Sequence, residues 1–514
     1  MEKKIQAGDI THYHGVLLCS SVSSGTVVDI SMPPLPHGCF TLEARDIPGT
    51  NSLKVLDERM PILASTSISY TGQPLLALFG PDMETVRAFT HFIRFSYALP
   101  AQNATEEKQD ASPSTDDSVE THGIKALVHE WAKTGDVPPE EETAVFNRTY
   151  SYPMRPFPRK TALTVQADYN QKELSIHVST QWPVHVRDSV AEAVSMPKKK
   201  VLVRRLPYFT THDAYVLWPS LLAAVAAAAA VKVGRKVTLQ HTPALVFPAY
   251  TIHRRTVFHV PTGKLLTETT EAVIDQGAFP FFSEELQRHV MTGLIPPYSL
   301  LSGSFTVRVR TSENPPAFFA GDLGYASALS STEAHYSTLA STAHISPIDW
   351  KIKNLADYPA RGAYITTPKL PVLREIISET AEKSGFQRKY AAFELQRQRR
   401  NRYSVFLNYA RGIGNASGAG ISGFSSSFDM SDKYSVALKL GEKDKAYIDT
   451  SFPLNSPSEA MWKHMVTQVL DIDADSILPA SEHLEELRDS GPAVLSANSG
   501  RLPLLFKKAA EEIK

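Results

Sequence analysis

Between Leu221 and Val233 the chain reads LLAAVAAAAAVKV, a run that only a buried helix accommodates. Alanine is the best intrinsic helix former, and its small side chain lets another backbone come close. Pro219 suits the first position of that helix, where its missing N–H costs nothing. Gly234 suits the left-handed position that ends it. The apolar core counts about a dozen residues, against roughly 20 needed to span a bilayer, so no membrane span is expected. Val201–Leu202–Val203 before it and Lys236 to Leu239 after it read as strands. The unit is strand–loop–helix–strand, and such folds place ligands at the loop. Here the loop, Phe209 to Tyr215 or FTTHDAY, contains no glycine. A loop that cradles an anion with backbone N–H groups normally needs glycine for positive φ and close approach.

The remaining chain sets the frame for that unit. With 514 residues, several domains are expected. A hydrophobic fraction of 42% and a charged fraction of 21% fit a globular protein with a sizeable core. A net charge of −1 gives no general attraction to nucleic acid or to a membrane surface. Met1 to Ile10 lacks the apolar run of a signal peptide, so a cytoplasmic location is expected. Cys19 and Cys39 are the two cysteines, too few for a four-thiolate iron–sulfur or zinc site, and are expected to be reduced thiols.

In chain order, residues 1–100 read as a compact α/β domain, with strands such as Leu75 to Phe79 and a helix from Met83 to Thr90. Residues 101–143 are acidic, polar and poor in aromatics, and read as a disordered linker with a short helix at Ile124 to Lys133. Residues 144–370 alternate strand and helix, with a hairpin turn at Pro261–Thr262–Gly263. Residues 371–514 form a second α/β unit. It holds a helix at Val372 to Lys383, a strand at Tyr403 to Tyr409, a hairpin at Ser435 to Asp449, and helices at Ser458 to Leu470 and Leu502 to Ile513.

Several local groupings have a chemical reading and a structural one. His12 and His14 share a strand face and could ligate a metal, but no third ligand stands near. His212 and Asp213 could be an acid–base pair, although neighbours in a strand point to opposite faces. Gly412 to Gly420 resembles a phosphate loop and reads more simply as a flexible turn. Lys198–Lys200 with Arg204 and Arg205, and the stretch from Arg397 to Arg402, could hold phosphates and read more simply as solvated surface.

A set of ordered motifs then resembles the xanthine dehydrogenase and aldehyde oxidase family, in its molybdopterin-binding large subunit. Ala44–Arg45–Asp46–Ile47–Pro48–Gly49 resembles that family's DIPG turn. Ser69 to Leu75 resembles its V-x-Y-x-G-Q-P-V strand, and Phe95 to Pro100 its V-x-Y-E-x-L-P closure. Thr180–Gln181–Trp182–Pro183, Met196–Pro197 and Val201 follow its TQ-x-P run. Asn314 to Asn354 resembles its later F-R-G to R-x-x-N segment.

The resemblance implies an α/β (α+β) fold. An N-terminal a/b hammerhead-like domain is followed by a two-part molybdopterin-binding-type domain whose second part is incomplete. It implies a molybdenum–molybdopterin cofactor and hydroxylation of aldehydes or N-heterocycles with oxygen from water. Iron–sulfur and flavin carriers would sit on partner subunits, or the chain would pair with a second molybdopterin-domain chain. Carried over by position, Gln181 matches the glutamine that bonds a molybdenum oxo group. Phe209 to Tyr215 falls on the glycine-rich cofactor loop, with Tyr215 at its lysine. Ala320 falls on the F-R-G arginine, and Phe452 to Asn455 on the G-Q-G turn. The chain ends at Lys514, before the segment with the family's glutamate base. The implied site is therefore degenerate, which leaves two expectations open: a subunit of a working molybdenum hydroxylase, or a chain that has lost the cofactor and serves as a non-catalytic scaffold or partner subunit of such a complex.

Overall fold

In the computed structural model the described residues are 10–56, 58–100, 124–158, 162–205, 213–317, 323–356, 370–403, 411–420, 434–442, 445–452, 457–479, 489–496, 500 and 502–514. Seven strands form one sheet, in the order Val201–Arg205, Leu174–Val178, Leu163–Tyr169, Lys236–His241, His12–Cys19, Pro74–Gly80 and Phe40–Leu42. His12–Cys19 runs parallel to Lys236–His241, with Tyr13 opposite Val237. The first described strand thus joins the strands of residues 163–241 to Pro74–Gly80 and Phe40–Leu42. A smaller sheet of Gly25–Ser31, Ser67–Ile68 and Arg94–Ala98 shares a separate apolar cluster with helix α1, Met83–Thr90. Asp82 caps α1 by accepting from the Thr85 N–H at 2.8 Å.

Helix α2, Pro183–Ala193, lies beside α3, Trp218–Val233, on this seven-stranded sheet. Helix α3 begins at Trp218, so Pro219 occupies its second position, and Gly234 ends it at φ 62°. Every residue from Trp218 to Ala230 is buried. The sequence count of the apolar run was short. Asp213–Val233 is 21 residues at a mean hydropathy of 1.9, long enough by length and composition to cross a bilayer. The preceding turn and Val216 to Ser220 lengthen it, and 94% of its apolar window is buried inside the protein.

A second sheet of five strands has the order Thr143–Tyr152, Ala249–His259, Lys264–Asp275, Ser302–Arg310 and Leu127–Ala132. The hairpin turns at Gly263 with φ 66°, as expected. Leu127–Ala132 is a strand, which corrects the short helix expected at Ile124 to Lys133. Its inward residues alternate, and Trp131 stacks on Phe305 with ring centroids 5.3 Å apart. Helices α4, Ser283–Leu294, and α5, Leu323–Thr342, cover this sheet. They are followed by α6, Pro347–Asn354, α7, Leu370–Ser384, and α8, Phe386–Tyr403. Helix α8 includes Tyr403, so the strand expected at Tyr403 to Tyr409 does not begin there, and residues 404–410 lie outside the described residues.

The C-terminal part packs a three-stranded sheet, Val436–Leu440, Ala446–Thr450 and Ile477–Pro479, against α9, Pro457–Leu470, and α10, Leu502–Ile513. The linker stretch 101–123 lies outside the described residues.

Candidate functional site

Gln181 sits between the strand Leu174–Val178 and α2, whose N-cap is Trp182 with Pro183 next. Its residue is 3% exposed. The amide nitrogen donates to Asp213 Oδ1 at 2.9 Å and to the Ala493 carbonyl at 2.9 Å. The Gln181 carbonyl in turn accepts the Ala493 N–H at 2.9 Å. Asp213 Oδ2 accepts the Leu495 N–H at 2.9 Å. Next to them Trp182 Nε1–H donates to Asp489 Oδ1 at 2.8 Å. A C-terminal segment, residues 489–495, is thereby pinned over the Gln181 position. Leu495 and Ser496 take left-handed φ values of 53° and 55°. Non-glycine residues hold such values at about 1–3 kcal/mol each, and only where surrounding contacts over-determine them.

Asp213–Tyr215 forms one turn of 3-10 helix. Ala214 and Tyr215 are buried, and the Tyr215 ring meets Phe157 edge-on at 6.0 Å. Tyr215, expected from the resemblance to fall at the family's lysine, is an aromatic core residue. Phe209 to His212, Ala320 and Pro453 to Asn455 lie outside the described residues. Phe452 is fully buried in the C-terminal core against Tyr434.

His185 on α2 is buried behind Trp182, whose ring stacks on it at 4.3 Å. His185 Nε2 lies 2.9 Å from the Lys54 carbonyl and must donate to it, so Nδ1 accepts from Ser220 Oγ–H at 2.7 Å. Burial lowers its pKa, which agrees with that neutral form.

His12 and His14 do share a face, with ring centroids 4.4 Å apart. His12 Nε2 bonds Thr238 Oγ1 at 2.7 Å, and burial followed by the His14 charge lowers its pKa. Among the described residues no three His, Cys, Asp or Glu side chains cluster to hold a metal. Lys198–Lys200 form an exposed turn, and Lys198 pairs with Asp188 at 2.6 Å.

The glycine run, expected as a flexible turn, holds no turn among residues 411–420. Residues 411–420 alternate exposed and half-buried positions, and none of these glycines has positive φ. The segment is pinned at three inward residues. The Asn415 carbonyl accepts from Lys351 Nζ at 2.6 Å, the Ser417 N–H donates to Glu333 Oε2 at 2.9 Å, and the Ala419 N–H donates to Tyr325 OH at 3.1 Å. A cavity of about 450 Å³ lies beside it, lined also by α5 and α8. The Gln181–Ala493 pairing joins residues 312 apart and the Lys351–Glu333 pair joins two successive helices, so neither is visible in local sequence.

Residues 128–355 match the molybdopterin cofactor-binding domain family. That stretch is similar to a molybdopterin cofactor-binding domain. The chain's sequence is 26% identical to aldehyde oxidase 4 of Cavia porcellus over 235 residues, 45% of this chain and 18% of that relative. The fold matches quinoline 2-oxidoreductase from Pseudomonas putida 86 at a TM-score of 0.73 and 16% identity, covering 99% of this chain and 68% of that one. It matches CO dehydrogenase from Oligotropha carboxidovorans at 0.74 and 14% identity, covering 98% and 67%. The resemblance to the xanthine dehydrogenase and aldehyde oxidase family therefore holds, and the chain spans less than a fifth of the curated relative's length in matched sequence.

The molybdopterin cofactor-binding domain can be tested for fit at Gln181. A carboxamide nitrogen has two N–H groups. One goes to the Asp213 carboxylate and the other to the Ala493 carbonyl. None is left for a metal oxo group, and the arrangement does not fit a glutamine that donates to one.

Proposed function

We propose that this chain is a molybdopterin-binding-type subunit homologue of the xanthine dehydrogenase and aldehyde oxidase type that keeps the scaffold and does not hold the cofactor by itself. It serves as a partner or scaffold chain of a molybdenum hydroxylase complex, alongside iron–sulfur and flavin subunits or a second molybdopterin-domain chain. The family reaction, hydroxylation of aldehydes or N-heterocycles such as purines, would then be carried by the partner. The single observation that supports this reading is the commitment of both Gln181 N–H groups to Asp213 and Ala493. The glycine-free loop sequence and Ala320 argue in the same direction. Residues 1–100 belong to the proposal as the hammerhead-like part, joined to the rest through the strand pair His12–Cys19 and Lys236–His241.

The test is to purify the full chain alone and with candidate partner subunits, then to measure molybdenum by mass spectrometry and released pterin by fluorescence. A metal-poor chain that still forms a stable complex is the expected result. Stoichiometric molybdenum on the isolated chain overturns the proposal, and turnover that disappears on Gln181→Ala would assign the family reaction to this chain.

A further inference from the structure

The cavity between α5, α8 and the glycine run is separate from Gln181, and nothing in the function proposed above uses it. Its volume of about 450 Å³ falls within the roughly 300–1,000 Å³ of small-molecule sites. The charged groups that line it already have partners. Arg397 pairs with Glu394, and Arg411 is likewise engaged. A charged guest would therefore give up its water without gaining a free opposite charge, and the cavity favours an uncharged one.

The groups left open are neutral. Asn415 lines the cavity, and its Oδ1 lies 3.3 Å from Lys351 Nζ. A lysine only donates, so the carboxamide oxygen faces it, and Nδ2 is left without an acceptor among the described residues. The Gln396 carboxamide also lines the cavity and has no hydrogen-bond partner among them. Tyr390 and Phe393 stand three residues apart on α8, a spacing that puts them on one helix face. Tyr390 stacks on Phe386 with ring centroids 5.6 Å apart, whereas the Phe393 ring has no ring partner among the described residues.

We propose that this cavity binds a small uncharged aromatic carboxamide. Its ring lies against Phe393 and Tyr390. Its carbonyl oxygen accepts from Asn415 Nδ2, and its NH₂ donates to the Gln396 carboxamide oxygen. Carboxamides suit one another because each presents an acceptor beside two donors, and an unstacked ring gains from an aromatic neighbour. The proposal does not depend on whether the chain holds molybdopterin.

Calorimetric titration of the full chain with benzamide tests it, with benzoate titrated in parallel. One benzamide per chain is expected, with benzoate at least tenfold weaker because its charge finds no free partner. Gln396→Leu removes the acceptor and Phe393→Ala removes the ring, and each should weaken benzamide at least fivefold. Melting curves without ligand establish folding, and the two changes remove different contacts, so one folded variant suffices. The proposal is overturned if benzamide fails to bind at millimolar concentration, if a folded variant binds it as the parent does, or if benzoate binds as tightly as benzamide.

Discussion

Lys351 Nζ lies 2.7 Å from Glu333 Oε2, and the lysine side chain is fully buried between α5 and α6. The same carboxylate accepts from Tyr298 OH at 3.2 Å and from the Ser417 N–H, so one pair ties α5, α6 and the glycine run together. Removing one member of a buried pair leaves an uncompensated charge and costs about 3–5 kcal/mol. Lys351→Met should therefore destabilise the chain by about that much in urea unfolding. Adding Glu333→Gln should recover part of the loss. A double variant as unstable as the sum of the singles would show that the two side chains are not coupled.

Gln181→Ala leaves the Ala493 carbonyl without its side-chain donor and takes one partner from Asp213. An unsatisfied buried polar group costs about 1–3 kcal/mol. The expected outcome is a loss of that size together with faster proteolysis near residues 489–496. Unchanged proteolysis there would mean that the segment is held by packing and not by Gln181.

Stability should fall on acidification from a named histidine. His335 is fully buried, accepting or donating at Tyr150 OH and Thr256 Oγ1, at 3.2 and 2.9 Å. Burial first, then the Arg254 and Arg148 charges, lower its pKa from 6.5 to about 2. The folded state therefore refuses a proton that the unfolded chain takes up below pH 6.5. Its contribution is complete above 6.5 and is lost progressively between 6.5 and about 2. Between pH 7.5 and 5.5 this one group should remove about 1.4 kcal/mol. Urea unfolding of parent and His335→Gln at both pH values checks it: the variant should show a shallower pH dependence by that amount.

What sequence alone made legible follows from how local each signal was. The Leu221 to Val233 helix and its Gly234 stop were readable because composition and cap lie within one short stretch, and α10 was readable from its amphipathic run. Ile124 to Lys133 misled because Ile124, Leu127, Val128 and Trp131 carry a helical spacing. Pairing with Ser302–Arg310 and the Trp131–Phe305 stack outweighed it. Helix α4 was missed because its buried residues include Glu285, Gln287 and His289, which blur an apolar period. At the candidate site, Gln181 was found from a motif. Its partner Ala493 stands 312 residues away, and no spacing rule reaches that far.

The alanine helix gives the most direct test of the scaffold. Ala226, Ala227 and Ala228 are fully buried, and α3 lies against both α2 and the strand Leu163–Tyr169. A larger side chain there has no void to enter, since protein interiors are packed at crystal-like density. Overpacking of this kind costs about 1–3 kcal/mol by forcing off-rotamer side chains and backbone shifts. Ala227→Leu should therefore lower the melting temperature. Lys232→Ala, at the exposed last turn, removes the partly exposed pair with Asp46 and a bond to the Thr41 carbonyl at 3.2 Å, and should cost at most about 1 kcal/mol. The contrast isolates close approach from helix propensity, because leucine and alanine both favour helix. Equal melting temperatures for Ala227→Leu and the parent would mean that the alanines are not there to bring α3 close to its neighbours.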